Sequence, residues 1–360
     1  MPAPRLIPEF APQSGVLVTW PHTASDWRHS LAEIEPVYLE LVRAISRHEA
    51  VLVVCYDDEH SRHIQQQLTG ARIEPSRVLQ VAVPSNDTWV RDYGPLAVQD
   101  DQSVSLVNFS FDGWGGKYAS GLDNAVSAAL AAAGVFKSPG LQQYPLILEG
   151  GAIDSDGCGS LLTTTRCLLD AGRNPAMDRA ALENELQACL GIDRVLWLDY
   201  GFIQGDDTDG HVDMLARFCS PHDIAYTRCR DTGDDHFATL KEMERQLQTF
   251  SDRDGRPYRL HPLPLPAPVY SSDGTRLPAS YANFLIINGA VLLPVYDDPA
   301  DEEARAVLKQ CFPGREIESV NCLPLIAQYG SLHCASLQLA DGILEPFAEK
   351  RTGINPSINE

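Results

Sequence analysis

The sequence lacks an excess of basic residues, any long apolar run and a leader-like start. Its 28 lysines and arginines are outnumbered by 49 acidic residues among 360, which gives a formal net charge of −21. Such a surface repels the phosphates of nucleic acids and of anionic lipids, so we expect no nucleic acid and no membrane as partner. No apolar stretch approaches the ~20 residues that span a bilayer. Residues 1–15 lack the basic start and apolar core of a signal peptide, which predicts a cytoplasmic protein.

Cysteine pairs at metal-binding or redox spacing are also missing. The nine cysteines are scattered along the chain, and none belongs to a Cys-x-x-Cys pair. This excludes the common zinc-binding and thioredoxin-like motifs. A disulfide framework is typical of small secreted domains rather than of a chain of this length, so we expect reduced thiols.

No glycine- and serine-rich linker or charged tail divides the chain. The proline-rich stretch HPLPLPAPVYSSDG (261–274) is the best candidate boundary, but it is short and lies between strand-like runs. A surface connection within one domain explains this stretch better than a hinge does. We therefore expect a single catalytic domain over residues 1–360.

Short apolar runs that are typical of buried strands recur along the sequence, with helical patterns between several of them. The runs are GVLVTW (15–20), AVLVVCY (50–56), VSLVNFSF (104–111), RVLWLDY (194–200) and NFLIINGAVLLPVY (283–296). Apolar residues at spacings of three and four predict helices over 31–48, 178–191 and 299–311. The order strand, strand, helix, strand returns about every sixty to seventy residues, which indicates an α/β fold of repeated units.

An aromatic residue and a carboxylate occur together in NDTWVRDYGP (86–95). Trp89 lies three residues before Asp92, and a Gly-Pro turn follows. A planar cation can stack on the indole ring while the carboxylate accepts its N–H groups. Taken alone, the segment is better explained as a strand end with an Arg91–Asp92 surface pair.

A second acid precedes two glycines. Glu149 follows the strand-like run PLIL (145–148), and the glycines at 150 and 151 leave the backbone free to turn beside the carboxylate. A β-turn with an exposed glutamate fits the same residues. The sequence DSDG (154–157) faintly resembles a calcium loop, but the rest of that ligand pattern is missing, so we expect a turn.

An imidazole and a carboxylate are paired in DDTDGHVDM (206–214). His211 and Asp213 are two residues apart, so on a strand both side chains would point to the same face. Together they supply the groups that general acid–base catalysis needs. The same pair could bind a metal, but no second histidine lies at ligand spacing, so acid–base chemistry is the preferred interpretation.

The candidate nucleophile is Cys334, because a glycine-containing turn precedes it in YGSLHCA (329–335). A lone cysteine is more often an inert buried residue, which is the interpretation for the other eight. On an extended strand His333 would point away from Cys334, so His211 is the expected partner. Three carboxylates around a thiol would oppose an oxyanion, but they suit a bound planar cation such as a guanidinium group.

In this order and spacing, the segments resemble the agmatine deiminase and bacterial peptidylarginine deiminase family of guanidino-group-modifying enzymes. The resemblance covers most of the chain, through WPH (20–22), WVRDYGP (89–95), FDGWGGKY (111–118), EGG (149–151), DGHVDMLARF (209–218), ASYANFLIINGAVLLP (279–294) and SLHC (331–334). It implies a pentein fold, which is a five-bladed pseudo-symmetric α/β propeller of ββαβ-type units with the site in the central channel. It also implies hydrolytic removal of ammonia from agmatine, no metal or organic cofactor, and a homodimer.

The resemblance further implies roles for individual residues. Cys334 is the expected nucleophile and His211 the general acid and base, while Asp92, Glu149 and Asp213 are expected to bind the guanidinium group. Around the rest of a small cationic guanidino substrate we expect Trp89, Trp114 and Asp209. Nearby carboxylates should raise the pKa of Cys334, so either a protonated His211 or the bound cation has to offset them.

Two departures from the family pattern fall beside this site. The run YGSL (329–332) stands where a glycine-rich run is common, and Asp209 stands where asparagine is frequent. Both affect the pocket for the substrate's tail, so free or peptidyl arginine is an alternative substrate. Among the segments 86–95, 111–118, 149–151, 206–214 and 329–335, the only lysine or arginine residues are Arg91 and Lys117. On a strand, Arg91 should point away from the face of Asp92. We therefore expect an acidic, aromatic pocket that favours agmatine over arginine.

Two other classes of function would use parts of the same residue set. A non-catalytic polyamine-binding protein could use an acidic, aromatic cleft, but it would need neither Cys334 nor His211. A papain-like cysteine amidase would need an oxyanion hole rather than clustered acids. A deiminase is therefore the preferred interpretation.

Overall fold

The computed structural model describes residues 4–100, 103–137 and 140–344, and these residues form a mixed α/β fold. The two ends of the expected domain, 1–3 and 345–360, lie outside the described residues. Strands in the described ranges belong to five separate sheets. Among these residues no helix combines the length and apolar character that crossing a bilayer requires.

Each sheet contains an antiparallel strand pair followed by a parallel pair. In spatial order, the first sheet consists of β17 (Ser336–Ala340), β2 (Gln13–Thr19), β3 (Ala50–Cys55) and β4 (Val78–Ala82), and the second of β1 (Arg5–Leu6), β5 (Leu96–Gln99), β6 (Val104–Ser110) and β7 (Leu141–Ile147). The third consists of β8 (Ile153–Ser155), β9 (Ser160–Thr164) and β10 (Arg194–Leu198), the fourth of β11 (Ala216–Ser220), β12 (Asp223–Arg228) and β13 (Arg259–Pro264), and the fifth of β14 (Leu285–Ile286), β15 (Ala290–Val295) and β16 (Glu316–Asn321).

Helices cross over between the parallel strands, as parallel pairing requires. The crossover helices are α1 (Leu31–Ser46), α2 (Asp58–Gly70), α4 (Asp123–Ala132), α6 (Arg179–Leu190), α7 (Phe237–Leu247) and α8 (Ala300–Cys311). Three one-turn helices complete the set: α3 (Val90–Tyr93), α5 (Thr165–Leu168) and α9 (Leu323–Ile326). The predicted order of strand, strand, helix and strand is found along the chain in four of the sheets. The first sheet differs, because its strands and helices run in the order β2, α1, β3, α2 and β4, and its fourth strand is β17. In the first sheet, the C-terminal strand β17 pairs with the N-terminal β2.

The helix predictions are confirmed to within a few residues, and the reasons are local. Asp178 accepts a hydrogen bond from the Ala181 N–H at the start of α6, and Gly191 ends that helix at φ 63°, where a glycine adopts the left-handed conformation easily. The acidic first turn of α8 complements the helix dipole. Strand β3 is apolar throughout and lies between two parallel neighbours, so all but its first residue are buried.

The long apolar run 283–296 is a hairpin rather than one strand. Strands β14 and β15 pair antiparallel, with Leu285 opposite Leu292 and Ile286 opposite Val291. The connection contains Asn288-Gly289, a dipeptide that favours tight hairpin turns. Asn283, two residues before β14, lies in the interior of the protein.

Candidate active site

The site is assembled from the segments that precede the first antiparallel strand of each sheet. These segments hold Cys334 before β17, Asp92 before β5, Gly151 before β8, His211 and Asp213 before β11, and Asn283 before β14. Each of these residues except Asn283 and Gly151 lines one cavity of about 210 Å³. All five sheets thus contribute to the same site.

The cavity wall is acidic and aromatic. Its lining comprises six aspartates (Asp26, Asp87, Asp92, Asp206, Asp207 and Asp213), four large aromatic residues (Trp89, Trp114, Tyr118 and Tyr329), and Thr208, His211, Met214, Gln328, Gly330 and Cys334. No lysine or arginine in the described ranges belongs to this lining. The cavity therefore suits a cation with an apolar section.

Cys334 lies in a turn, Leu332–Ala335, and not on an extended strand as expected. The side-chain amide of Asn283 donates to the Cys334 Sγ at 3.3 Å, and the thiol lies 3.6 Å from Asp213 Oδ2. The Asn283 Oδ1 also accepts from the His333 backbone N–H at 2.8 Å, which holds the turn in place. Sequence reasoning did not identify Asn283, although it lies within the family segment 279–294.

The turn directs the ring of His333 to the back of the site, where it contacts Asp213, a contact that the sequence did not reveal. Its Nδ1 lies 2.8 Å from Asp213 Oδ2, and its Nε2 lies 2.9 Å from Glu9 Oε1. Glu9 also accepts from Arg91 at 3.0 Å and from Arg217. Burial alone would raise the pKa of Glu9, but Arg217, Arg91 and His333 hold it well below its usual value. Asp213 is thus fixed from behind by an ionic network.

His211 and Asp213 were expected on a strand, but His211 is the N-cap and Asp213 the middle residue of a turn of 3-10 helix, Val212–Met214. The loop before it is rigid: Asp206 accepts from the backbone N–H groups of Thr208 and Gly210 at 2.9 and 2.8 Å. Both side chains still face the cavity, because the tight turn brings them together as a strand would. The strand predicted for His211 and Asp213 was wrong, but the two side chains face the same cavity, as the sequence led us to expect.

Asp92 belongs to the one-turn helix α3 and is buried, so the surface pair with Arg91 does not exist. Its carboxylate accepts from the Trp114 Nε1 and from the Gly151 backbone N–H, both at 2.9 Å. Arg91 points the other way, as expected, but it does so on a helix. Trp114 therefore both lines the cavity and orients Asp92.

Glu149 lies behind His211 and does not line the cavity. The His211 Nε2 is 3.9 Å from Glu149 Oε2, and the His211 Nδ1 is 3.6 Å from Asp92 Oδ1. Arg173 donates from its Nε to both oxygens of Glu149, at 2.8 and 2.9 Å. Sequence reasoning missed Arg173, which lies 24 residues from its partner. Arg173 therefore holds the Glu149 carboxylate beside the imidazole of His211.

Gly151 lies where three site residues converge. A Cβ atom at this position would be 2.6 Å from His211 Nδ1, 2.8 Å from Asp92 Oδ1 and 3.0 Å from Asp213 Oδ2. These distances are too short for a carbon atom. A glycine is required here because the backbone itself forms part of the wall of the site.

Asp209 is also outside the cavity lining. Its Oδ2 accepts from Lys117 Nζ at 2.7 Å and from Arg173 Nη1 at 2.9 Å. Burial alone would raise the pKa of Asp209, but Lys117 and Arg173 hold it below its usual value. The predicted substrate contact is thus replaced by a contact with the arginine that supports Glu149.

Backbone strain is concentrated at this site. Of the five non-glycine residues with positive φ in the described ranges, three belong to it: Trp114 at 58°, Asp209 at 69° and Tyr329 at 68°. Gly330 follows Tyr329 and packs so closely on Trp89 that a Cβ atom would lie 2.3 Å from the indole ring. Such conformations persist where the surrounding structure enforces them, often at functional sites. Tyr329 and Trp89 thereby form one side of the cavity.

The electrostatics leave both reacting groups uncharged. Burial raises the pKa of the Cys334 thiol well above its usual value, and Asp213 and Asp92 add to the effect. Burial lowers the pKa of His211 to about 3, although Asp213 opposes this. Burial and Asp213 raise the pKa of Asp92, while Asp213 itself has a lowered pKa because His333 and His211 outweigh its burial. The site at neutral pH therefore holds a thiol, a neutral imidazole and an ionised Asp213.

The site residues do not fit a metal ion. Glu149, Cys167 and His211 each present a ligand atom within 4.8 Å of the other two. However, the Arg173 guanidinium already engages both oxygens of Glu149, and its fixed positive charge would oppose a divalent cation beside it. This geometry agrees with the preference for acid–base chemistry at His211.

Comparison with known proteins identifies the family. The sequence model of one protein family, described as Porphyromonas-type peptidyl-arginine deiminase, matches residues 5–339. This chain belongs to that family. The agmatine deiminase of Pseudomonas fluorescens (strain SBW25) is 33% identical over 354 residues, which cover 92% of this chain and 94% of that protein. The family resemblance expected from the sequence is confirmed, and with it a hydrolase that acts on the carbon–nitrogen bond of a guanidino group.

Two solved structures show the same fold over almost the whole chain. One from Porphyromonas gingivalis, provisionally named an arginine deiminase, is 42% identical with a TM-score of 0.88, covering 95% of this chain and 100% of that one. A cysteine-to-serine variant of the C. jejuni agmatine deiminase with substrate bound is 33% identical with a TM-score of 0.86, covering 94% and 97%. Relatives of this deiminase family thus carry names for different guanidino substrates.

Proposed function

We propose that this deiminase hydrolyses agmatine to N-carbamoylputrescine and ammonia. The observation that carries the proposal is the cavity itself, which combines a thiol and an imidazole with six carboxylates and no basic side chain among the described residues. Such a site repels anions and stabilises cations. Agmatine is a dication with a four-carbon chain, and the Pseudomonas and C. jejuni relatives are named for it.

The guanidinium group is proposed to lie between Asp92 and Asp213, with its carbon beside the Cys334 sulfur. Asp213 Oδ1 is buried and has no hydrogen-bond partner among the described residues, so it is available to accept a guanidinium N–H. Charge-assisted pairs with two carboxylates would fix the plane of the group. The Asn283 amide holds the sulfur from the opposite direction.

The substrate is proposed to activate the thiol. His211 is not the activator in this proposal, because burial lowers the pKa of its imidazole and favours the neutral form. A bound guanidinium cation would compensate the charges of Asp92 and Asp213, which are the groups that oppose the thiolate together with burial. The neutral imidazole can then accept the thiol proton as the sulfur attacks.

In the first half-reaction, the S–C bond forms and the thiol proton passes to His211. His211 returns this proton to the departing nitrogen, the C–N bond breaks, and ammonia leaves a thiouronium on Cys334. In the second half-reaction His211 takes a proton from water, and the hydroxyl adds to the same carbon. The C–S bond then breaks, the remaining hydroxyl proton passes to the sulfur to give the thiol and the ureido product, and His211 releases its proton to solvent, where ammonia takes it up as ammonium. Glu149 and Arg173 are proposed to keep the imidazole in position.

Agmatine is favoured over arginine by the rest of the cavity. Trp89 and Tyr329 offer apolar surface for the methylene chain, and Asp26, Asp87 and Asp207 offer negative charge for a terminal ammonium. The α-carboxylate of free arginine would meet these acids without a cationic partner. An unpaired carboxylate costs several kcal/mol, so kcat/KM for agmatine should exceed that for arginine by about 10³.

The test is a parallel kinetic assay on agmatine, free arginine and an arginyl peptide, with ammonia and ureido product measured for each. Similar kcat/KM values for agmatine and arginine would favour the arginine alternative, which the 42% identity to the P. gingivalis structure makes the main rival. A polyamine-binding protein would bind agmatine and release no ammonia.

The five sheets are proposed to be the blades of a pentein-type propeller. Two observations support this: every sheet contributes the segment before its first antiparallel strand to one site, and β17 pairs with β2, so that the last described strand shares a sheet with residues 13–19. We further propose one catalytic domain over residues 1–360, acting as a cytoplasmic homodimer. Light scattering coupled to gel filtration would distinguish a dimer from a monomer.

A further inference from the structure

The N-terminal segment between β1 and β2 contributes Glu9 to the back of the active site. The side chain of Glu9 is 16% exposed and does not line the cavity. Its carboxylate accepts from Arg91 Nη1 and from Gln338 Nε2, both at 3.0 Å, and from Arg217. These partners lie on α3, β17 and β11, so Glu9 joins segments that are far apart along the chain.

His333 lies between Glu9 and the cavity, with a carboxylate at each ring nitrogen. Its Nδ1 is 2.8 Å from Asp213 Oδ2, and its Nε2 is 2.9 and 3.0 Å from the two oxygens of Glu9. The residue is fully buried. An ionised carboxylate only accepts hydrogen bonds, and a neutral imidazole has one N–H to donate. A neutral ring could therefore satisfy one of the two contacts but not both.

His236, which is also buried, shows the opposite arrangement. Its Nδ1 is 2.6 Å from Asp234 Oδ1, and its Nε2 accepts from the backbone N–H of Gln204 at 2.8 Å. A neutral ring with its proton on Nδ1 satisfies both contacts. The two buried histidines thus differ in one contact, which is a donor at the Nε2 of His236 and an acceptor at the Nε2 of His333.

The charges around His333 leave the carboxylates without a proton. Burial would raise the pKa of Glu9, but Arg217, Arg91 and His333 hold it well below its usual value, and His333 and His211 hold that of Asp213 low against its burial. Burial, Arg217 and Arg91 lower the pKa of His333, whereas Glu9 and Asp213 oppose them. Since neither carboxylate holds a proton at neutral pH, each contact needs an N–H from the ring. The other charged or titratable groups near these three residues are Asp154 on β8, which accepts from Arg217 Nε at 3.0 Å, and Asp92, His211 and Cys334 on the cavity side.

The contact with His333 also determines which oxygen of Asp213 is available. Oδ2 is bound by the ring and lies 3.6 Å from the Cys334 Sγ. Oδ1 is buried and has no hydrogen-bond partner among the described residues. The ring therefore fixes the carboxylate by one oxygen and leaves the other free for a ligand.

We propose that Glu9 and His333 are positioning residues for the deiminase: His333 is an imidazolium held by Glu9, and it keeps Asp213 ionised with Oδ1 directed to the guanidinium group. This inference rests on the proposed binding of the guanidinium by Asp213. Neither residue contacts the substrate. Loss of the imidazolium charge should let Asp213 take up a proton at a higher pH, so the site should bind the cation more weakly.

The direct test is NMR of the substrate-free, full-length protein labelled with 15N-histidine, at pH 7. The signals of His333 and His236 are assigned by their loss in His333→Asn and His236→Asn. If His333→Asn does not fold, the signal that changes in Glu9→Gln identifies His333. The expected result is a proton on both ring nitrogens of His333 and on one ring nitrogen of His236. A bare nitrogen on His333 would overturn the proposal, and because no substrate is present, this outcome is independent of the agmatine assignment.

Kinetics of His333→Asn test the positioning role. Asparagine can place an amide N–H near the position of Nδ1, so it keeps a donor for Asp213 but lacks the charge. At pH 7, KM for agmatine should rise about tenfold while kcat stays within about threefold, and the acidic limb of kcat/KM should move up by about one pH unit. The limb moves up because the ionised Asp213 binds the cation and its pKa is higher in the variant.

Two further variants complete the kinetic test. Glu9→Gln should change KM in the same direction by a smaller factor, because the carboxamide still accepts from Nε2 but no longer stabilises the imidazolium. His236→Asn is the matched control and should keep both constants, because His236 does not line the cavity. A fall in kcat with KM unchanged in a folded His333→Asn protein, or no change in either constant, would overturn the role assigned to His333.

Discussion

Cys334 lines the cavity and Cys311, the last residue of α8, lies outside it, and the surroundings of the two thiols shift their pKa in opposite directions. At Cys334, burial and two carboxylates raise the pKa of the thiol, and the neighbouring His211 is neutral. At Cys311, Cys219 and His261 lower the pKa of the thiol. The residue types therefore do not determine reactivity. The charges that surround them do.

Burial at Cys334 and Cys219 at Cys311 have the largest effects, and the partner of each carboxylate adds to the difference. Asp223 binds the Arg259 guanidinium directly, so little of its negative charge acts on Cys311. Asp92 instead accepts from two neutral donors, Trp114 and Gly151, and keeps its charge when ionised. A site of this kind is incomplete without a cation. We infer that one thiol is activated by the fold and the other by its substrate.

Replacing each cysteine by serine gives the largest contrast between the two regions. Cys334→Ser should reduce kcat for agmatine by about 10⁴-fold or more, because the nucleophile is lost. Cys311→Ser should keep kcat within about twofold, because Cys311 is outside the cavity. Ammonia release by both variants measures this. A large loss of kcat in a normally folded Cys311→Ser protein would mean that the region around Cys311 affects catalysis at Cys334.

Adding one methyl group at Gly151 should disturb the site around Cys334 and leave Cys311 unaffected. In Gly151→Ala the Cβ atom would displace His211, Asp92 or Asp213, so kcat/KM should fall by about 10²-fold. Gly70→Ala is the matched control, because nothing lies within 4 Å of a Cβ atom at that helical position. The control should keep full activity and gain up to about 1 kcal/mol of stability. Unchanged kinetics in Gly151→Ala would contradict the geometry of the site.

The pH dependence of alkylation should separate the two thiols in one sample. Iodoacetamide reacts with thiolates, so labelling of Cys311 should have its midpoint near pH 6, while that of Cys334 should lie above pH 9. Millimolar guanidinium chloride should lower the midpoint of Cys334 and leave that of Cys311 unchanged. A Cys334 midpoint below pH 8 without any cation would show that the fold alone activates this thiol.

We expect the smallest effect on activity from a substitution of Asp209, because this residue contacts Lys117 and Arg173 and does not line the cavity. Asp209→Asn removes the charge that pairs with Lys117 and Arg173 but keeps an oxygen as acceptor. A partly exposed ion pair is worth up to about 1 kcal/mol, so kcat/KM should fall no more than about fivefold. A loss of 10³-fold would instead indicate the direct substrate contact expected from the sequence.

Sequence patterns predicted the local elements and the residue composition of the site. Helix α6 follows from Asp178, the apolar spacing and Gly191, and the segments with Asp92, His211 and Cys334 were identified by their composition and family resemblance. These features depend on neighbours along the chain, which a single sequence contains. The acidic, aromatic character of the cavity was predicted for the same reason.

The supporting contacts could not be predicted, because they join distant segments. His333 and Asp213 are 120 residues apart, and Asn283 and Cys334 are 51 residues apart. The strand predicted for His211 and Asp213 is a 3-10 turn, because Asp206 and Thr208 hold the preceding loop by hydrogen bonds that alternation of residues does not reveal. Charge compensation, such as Arg173 on Glu149, is likewise visible only in three dimensions.

Mass spectrometry of acid-quenched enzyme during turnover of agmatine tests the central claim most directly. The account predicts a covalent adduct on the peptide that contains Cys334, whose mass corresponds to agmatine minus ammonia. The adduct should disappear when substrate is exhausted, and the peptides with Cys311 and Cys167 should remain unmodified. Turnover with an adduct on another cysteine, or turnover in the Cys334→Ser protein, would contradict the account.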